Sequence, residues 1–216
     1  MNKQQSNNPD PTTINMATYN DPATVAFATS DAEDYMPHIF QHPIFTEFNA
    51  SLPGKTILDL GCGPGLLSKY YSDHGFIVTG MDFSENMVKA ARKQCPKCRF
   101  IVKNVLDLDS NNDKFDGIVA FHLLQFLDRP QIIELFKKIS ASLTENGRFL
   151  NVFTNTCFPK SGCNVNSSGM TEYWNGWKLE DIAPLYQKGG LELVKFEQPK
   201  LENGEEPLFF IAKTGA

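Results

Sequence analysis

Three glycines and one aspartate have the types and the spacing of a nucleoside-binding site. Gly61, Gly63 and Gly65 directly follow Thr56–Leu60, an apolar run typical of a buried parallel strand. Glycine tolerates a positive φ and lets the backbone approach a ligand closely. A second apolar run ends at Asp82, about 20 residues after the first glycine, where a carboxylate can accept two hydrogen bonds from a ribose diol. The pattern favours a nucleoside-containing cofactor over a tight turn followed by a helix-capping aspartate.

The segment after the glycines, Leu66–His74, can continue as a helix. The turn would then lie at a helix N-terminus, and we expect it to present bare backbone N–H groups to a crevice. Its G-x-G-x-G spacing differs from the G-x-G-x-x-G of dinucleotide sites, which disfavours a nicotinamide-linked reductase. The turn also contains no basic residue, which argues against a phosphate-binding loop.

Two stretches carry a resemblance to a known family. Leu58–Gly65, which reads Leu-Asp-Leu-Gly-Cys-Gly-Pro-Gly, resembles motif I of the class I S-adenosylmethionine-dependent methyltransferases, and Gly80–Met87 resembles the second motif of that family. The resemblance covers roughly residues 56 to 153. It implies S-adenosyl-L-methionine as the cofactor and S-adenosyl-L-homocysteine as its product.

The resemblance also implies how the cofactor is divided among the residues. Main-chain groups at the glycine turn, with Asp59 nearby, would hold the amino acid part, and Asp82 would bind the ribose. Phe83 and Met87 would pack on the adenine, and Asn104 would meet its edge, with Asp107 as an alternative polar contact. The full set of cofactor contacts expected in this way is Tyr19, Asp59, Gly61, Cys62, Gly63, Asp82, Phe83, Met87, Asn104, Val105 and Phe121.

Apolar runs and helical patterns alternate along most of the chain. Strands are predicted at Thr56–Leu60, Phe76–Met81, within Arg99–Asp109, at Asp116–Phe121 and at Arg148–Phe153, and helices at Ser84–Lys93, Pro130–Leu143 and Leu179–Lys188. Leu191–Gln198 and Pro207–Thr214 resemble the antiparallel hairpin that ends the methyltransferase sheet. We therefore expect an α/β, Rossmann-like three-layer sandwich with a mostly parallel seven-stranded sheet.

The ends and one insertion depart from this alternation. Residues 1–18 are expected to be flexible, and residues 19–216 to form a single methyltransferase domain. Within it, residues 30–52 would form a helical lid that Pro37 and Pro43 break into two short helices, with core packing as the alternative. Residues 154–177 read as an irregular loop insert.

The transfer of a methyl group needs alignment of donor and acceptor more than a catalytic triad. His122, which follows the fourth predicted strand, is the candidate general base, although a packing role is the alternative. Tyr173, Trp174 and Trp177 suggest a planar or apolar acceptor, or else a packed lid. We predict transfer to an O or N atom of a small molecule. A protein or RNA methyltransferase and a non-catalytic cofactor-binding protein stay as alternatives.

Composition narrows the partners. A net charge of −5 without a dense basic run weighs against a nucleic-acid partner, and no apolar run is long enough to cross a bilayer. The polar N-terminus favours a cytoplasmic location. Cys95-Pro-Lys-Cys98 has no second cysteine pair to complete a zinc site, so we expect reduced thiols and no metal. The expected assembly is a monomer or a homodimer.

Overall fold

The computed structural model describes residues 11–110, 113–154, 162–165, 169–200 and 206–215. Within these residues, seven strands form one sheet: β1 (Thr56–Leu60), β2 (Ile77–Asp82), β3 (Arg99–Val102), β4 (Phe115–Phe121), β5 (Leu143–Thr154), β8 (Leu191–Glu197) and β9 (Pro207–Thr214). Their order in the sheet is β3-β2-β1-β4-β5-β9-β8. The first five strands are parallel, and β9 pairs antiparallel with both β5 and β8. The predicted α/β sandwich with a terminal antiparallel hairpin is confirmed.

Helices cover both faces of the sheet because successive strand residues point to opposite sides. On β1, Ile57 packs in one core cluster, and Leu58 and Leu60 pack in the other. The first cluster lies under α2, α3 and α4, and the second lies under α6 and α7. The helices are α1 (Pro11–Asn20), α2 (Pro22–Phe40), α3 (Pro43–Ser51), α4 (Leu66–Asp73), α5 (Glu85–Gln94), α6 (Arg129–Ser142) and α7 (Leu179–Lys188).

The order of the strands produces a crevice at one edge of the sheet. From β1 the chain proceeds outward to β2 and β3, then returns to place β4 on the other side of β1. The connections after β1 and β4 therefore diverge at their carboxyl ends. Such a switch point is where open α/β sheets bind ligands.

The N-terminal region differs from the prediction in two respects. Residues 11–18 belong to α1, so a flexible segment through residue 18 is wrong for the described part, while residues 1–10 lie outside it. Helix α2 begins at Pro22 and continues through Pro37, whereas Pro43 starts α3 in a first-turn position that needs no N–H donor. Only the second proline therefore separates two helices.

The insert between β5 and α7 is not wholly irregular. Its described residues include the hairpin of β6 (Gly162–Val165) and β7 (Thr171–Trp174), which pair antiparallel. Helix α1 packs along β7 and stabilises this hairpin with hydrogen bonds to its backbone. The connection between β8 and β9 at residues 201–205 and the segment 155–161 lie outside the described residues.

The expectation of reduced thiols at the Cys-x-x-Cys sequence is wrong. Cys95 and Cys98 form a disulfide, and their Cα atoms are 5.6 Å apart. A turn, in which the Cys98 N–H donates to the Cys95 carbonyl at 3.1 Å, brings the two side chains together. In the described residues, no helix is long and apolar enough to cross a membrane.

Candidate cofactor site

The glycine turn joins β1 to α4 at the switch point of the sheet. Gly61, Gly63 and Gly65 have φ values of 69°, 50° and 89°, all in the region that favours glycine. A Cβ at Gly65 would lie 2.8 Å from the Cα of Ala91 in α5, so only glycine allows this close approach. At Gly63, by contrast, a Cβ would meet nothing within 4 Å. The turn is thus tight on its α5 side and open at Gly63.

The N–H groups of the turn are not bare. Those of Gly61 and Cys62 donate to the Met81 carbonyl at 2.8 and 3.0 Å, and that of Gly63 donates to Asp82 at 3.0 Å. The Gly65 N–H donates to the Cys62 carbonyl at 3.0 Å. The expected row of unpaired donors is therefore wrong, because the end of β2 accepts most of these hydrogen bonds.

Asp82 fixes the relation between the turn and α5. One carboxylate oxygen accepts from the Gly63 N–H at 3.0 Å, and the other accepts from the Ser84 N–H at 2.8 Å. Burial raises the pKa of Asp82, and the backbone donors oppose that shift. A carboxylate has about four acceptor positions, and the Phe83 N–H also acts on it besides those of Gly63 and Ser84, so acceptor capacity remains for a ligand hydroxyl. The Asp82 side chain therefore fits a diol placed beside the turn.

Asp59 lies beneath the turn rather than in the crevice. It stands on β1 between β2 and β4, is 1% exposed, and accepts a hydrogen bond from the Ser68 hydroxyl at 2.6 Å. Burial raises the pKa of Asp59 to about 7, against the lowering effect of Ser68. Its main role in the structure is to tie β1 to the first turns of α4.

Replacing Asp59 with asparagine should change how stability depends on pH. Between about pH 4 and 7 the folded wild type keeps the Asp59 proton while the unfolded chain loses it, so the wild type loses stability as pH rises. Asp59→Asn removes this loss. The loss is about 4 kcal/mol at pH 8, because the pKa of Asp59 rises from 3.8 in the unfolded chain to about 7 in the folded protein. Denaturant unfolding at pH 4 and pH 8 measures the difference.

The exposed Asp113 provides the matched control for this experiment, since Asp113→Asn should leave the pH dependence of unfolding unchanged. A wild type and Asp59→Asn pair whose stabilities run parallel from pH 4 to pH 8 would contradict the raised pKa.

A crevice opens beside Asp82, at the carboxyl ends of β2, β3 and β4. It brings together four of the predicted cofactor residues, Tyr19, Phe83, Asn104 and Val105. The Asn104 side-chain oxygen accepts from the Leu106 N–H at 2.9 Å, which orients the amide at the start of a 3-10 turn. Sequence reasoning missed the rest of the lining, which is Asn15, Met16, Leu106, Leu123, Phe126, Leu127 and Gln131.

The other seven predicted cofactor residues do not line this crevice: Asp59, Gly61, Cys62, Gly63, Asp82, Met87 and Phe121. Met87 is buried in the first turn of α5, and Cys62 is buried in a small cluster against α5. Phe121 packs partly in the core and meets the ring of His122 at 4.4 Å.

Helix α1 forms one wall of the crevice. The Tyr19 hydroxyl donates to Glu172 of β7 at 2.6 Å, and the Asn15 amide makes two 2.8 Å hydrogen bonds with the backbone of Tyr173. The Ser84 hydroxyl donates to the Tyr19 carbonyl at 2.6 Å, which ties α1 to the turn that follows Asp82. Burial and the Glu172 carboxylate raise the pKa of Tyr19, so its hydroxyl stays a donor.

His122 has an unusual backbone and is a weak base. Its φ is 52°, and its N–H donates to the Val152 carbonyl at 2.8 Å. Burial lowers the pKa of its imidazole to about 4, so the ring is neutral at physiological pH. These features favour the packing role over the general base.

The structure separates the three aromatic residues that were predicted to meet the acceptor. Trp177 is 7% exposed in the main core and donates its indole N–H to the Leu124 carbonyl at 3.0 Å, so it is not a surface contact. Trp174 is 9% exposed. Tyr173 is only half-buried, with its backbone held by Asn15. For Trp177 this burial favours the alternative, packing against the core, over contact with an acceptor.

Comparison with known proteins gives the same class. Residues 57–147 match the family described as methyltransferase domain. The chain is 32% identical over 163 residues to the ubiquinone biosynthesis O-methyltransferase of Coxiella burnetii, covering 69% of each chain. It is 29% identical to a malonyl-[acyl-carrier protein] O-methyltransferase of Enterobacter lignolyticus, over 48% of this chain and 45% of the other.

The fold has the same relatives. The magnesium protoporphyrin IX methyltransferase of Synechocystis with bound S-adenosylmethionine superposes with a TM-score of 0.71 at 15% identity, covering 97% of this chain and 100% of the other. The family match, the sequence relatives and the shared fold together show an S-adenosylmethionine-dependent enzyme. The chain belongs to the class I S-adenosylmethionine-dependent methyltransferases.

Proposed function

We propose that this methyltransferase transfers the methyl group of S-adenosylmethionine to an oxygen or nitrogen atom of a small molecule. The observation that carries the proposal is the mostly apolar crevice that begins at Phe83, the residue after Asp82, and whose lining suits a flat base. Two relatives are named as O-methyltransferases, which favours oxygen over nitrogen. The cytoplasmic location stays a prediction.

The residues present fit the cofactor. Asp82 has acceptor positions for the two ribose hydroxyls, and Phe83, Val105 and Leu123 offer apolar faces to an adenine ring. The Asn104 amide can donate to a ring nitrogen of the base. Because the N–H groups of the glycine turn are used within the protein, we assign the amino acid part to main-chain carbonyl groups at Gly61–Gly63, which suit its ammonium group.

The chemistry then asks little of side-chain acids and bases. When bound, the cofactor supplies a methyl carbon made electrophilic by its sulfonium. The carboxyl end of β4, around Phe121, is where the chain can position an acceptor in line with that carbon. Helix α1, held by the Tyr19–Glu172 and Ser84–Tyr19 hydrogen bonds, excludes water from the cofactor side.

The experiment is an acceptor screen with S-adenosylmethionine labelled in its methyl group. Its panel contains phenols, carboxylic acids and aliphatic amines, together with a mixed peptide pool and total RNA. Label in a phenol, acid or amine supports the proposal. Label confined to the peptide or RNA fraction contradicts it while leaving the methyltransferase class intact.

Replacing His122 with asparagine should leave turnover with the acceptor from that screen within about threefold. Loss of a general base costs about 100-fold or more, and asparagine tolerates the positive φ of this position. The pH–rate profiles of the two proteins should coincide between pH 6 and 8, since an imidazole with a pKa of about 4 does not titrate there. A 100-fold lower turnover, or loss of an inflection near pH 6.5, would restore His122 as the base.

A further inference from the structure

The disulfide between Cys95 and Cys98 lies at the surface, at the end of α5. Cys95 is the C-cap of this helix and is 5% exposed, whereas Cys98 is half-buried and the intervening Pro96 and Lys97 are exposed. The Cα separation of 5.6 Å falls in the range of ordinary disulfides. Cys98 is therefore the more accessible cysteine of the pair, and Cys95 is the more sheltered.

The pair is joined to the glycine turn through α5. The Cys95 N–H donates to the Ala91 carbonyl at 2.9 Å, and Ala91 is the residue against which Gly65 packs without space for a Cβ. Cys62, inside the turn, belongs to the same apolar cluster as Ala91 and Cys95. A shift at the end of α5 therefore changes the packing of both Gly65 and Cys62 in the turn.

A second connection runs through α4. The Cys98 sulfur lies 3.6 Å from the Ser68 carbonyl oxygen, and the Ser68 hydroxyl holds Asp59 beneath the turn at 2.6 Å. A thiol at Cys98 can donate to that carbonyl, but a disulfide sulfur has no proton to donate. Oxidation and reduction of the pair thus change the contact between the α5–β3 connection and α4.

We propose that Cys95 and Cys98 form a redox-sensitive pair that sets the affinity of the glycine turn for the cofactor, with the disulfide form binding more tightly. The disulfide restricts the motion of the chain next to Ala91 and so holds α5 against Gly65. This inference rests on the proposed cofactor site at the turn and does not depend on which molecule accepts the methyl group.

The co-reactant is a low-molecular-weight disulfide. The Cys98 thiolate attacks it and forms a mixed disulfide, and one small thiol leaves. The Cys95 thiolate then attacks the Cys98 sulfur, forms the Cys95–Cys98 bond and expels the second small thiol. Two protons and two electrons pass from the pair to the small disulfide, and excess dithiol reverses both steps.

The position of the pair favours regulation over a disulfide oxidoreductase activity. Oxidoreductase cysteines are activated at helix N-termini, whereas Cys95 ends α5, where the partial negative charge disfavours a thiolate. Cys62 does not compete as the reactive group, because burial and then Asp59 and Asp82 raise the pKa of its thiol. Exchange is expected to be slow and confined to Cys98 as the first site of attack.

The test compares one protein in two states. Wild type is treated with excess dithiothreitol or with glutathione disulfide, the small molecules are removed without air, and peptide mapping by mass spectrometry locates the bond. Calorimetry with S-adenosylhomocysteine then gives both affinities. We expect the Cys95–Cys98 bond only in the oxidised sample, and a Kd about fivefold or more lower in that sample, the low end of typical coupling between sites.

Two variants complete the design. Cys98→Ser should show the weaker, reduced-state Kd under both treatments, whereas Cys163→Ser, at an exposed free cysteine, should respond as wild type does. The proposal is overturned if the bond fails to form or cannot be reduced, or if the two Kd values agree within twofold. Absence of binding in both states would overturn the cofactor site as well, whereas equal affinities would leave that site standing.

Discussion

Asp82→Ala is expected to weaken the binding of S-adenosylhomocysteine by about 100-fold or more. The change removes an acceptor for the two ribose hydroxyls, and hydrogen bonds to a charged group contribute about 1.5–3 kcal/mol each. It also removes the acceptor for the Gly63 and Ser84 N–H groups, so the turn keeps only its main-chain hydrogen bonds to Met81 at the end of β2. Isothermal titration calorimetry measures the loss directly.

Asp113 is the matched control for this variant. Its carboxylate is exposed just before β4, and it is not among the expected cofactor contacts. Asp113→Ala should keep the wild-type affinity. Equal losses in the two variants, or an Asp82→Ala protein that binds normally and shows a native circular dichroism spectrum, would contradict the ribose assignment.

Alanine at Gly65 should mainly lower the stability of the fold, whereas alanine at Gly63 should mainly weaken cofactor binding. At Gly65 the new Cβ would meet Ala91 at 2.8 Å in a backbone with a φ of 89°, so strain and overpacking should lower stability by about 2–4 kcal/mol. For a chain of this size that corresponds to a fall in Tm of about 5–15 °C. Thermal unfolding followed by circular dichroism measures it.

In Gly63→Ala the Cβ has open space around it, so only the φ of 50° should lower stability, by about 1–2 kcal/mol. The Cβ would instead occupy the open side of the turn. The affinity for S-adenosylhomocysteine should therefore fall, while the Tm should fall less than it does in Gly65→Ala. If Gly63→Ala proved the less stable of the two proteins, the packing of Gly65 on α5 would not be the tight contact described here.

The local structure around the candidate site, which the sequence predicts correctly, is built from residues close together along the chain. Thr56–Leu60, the three glycines and Asp82 are joined by local rules: a buried strand, a turn that needs positive φ, and an acid at the end of the next strand. Ser84 is the N-cap of α5, and its hydroxyl accepts from the Met87 N–H, which is likewise a contact between neighbours along the chain.

What the sequence did not predict depends on contacts between distant segments. Helix α1 has little apolar patterning and gains its place by hydrogen bonds to β7, more than 150 residues away. An aromatic residue such as Trp177 suits a core and a binding surface equally well until its neighbours are known. The bond between Cys95 and Cys98 likewise depends on a turn geometry that the Cys-x-x-Cys spacing allows but does not require.

The central claim is that one crevice, beside Asp82 and under α1, holds the cofactor. A crystal structure of the chain with S-adenosylhomocysteine tests it most directly. We predict both ribose hydroxyls on the Asp82 carboxylate, the adenine between Phe83 and Leu123 with Asn104 at its edge, and Tyr19 over the bound molecule. A ligand found elsewhere on the sheet, or one whose ribose makes no contact with Asp82, would contradict the account.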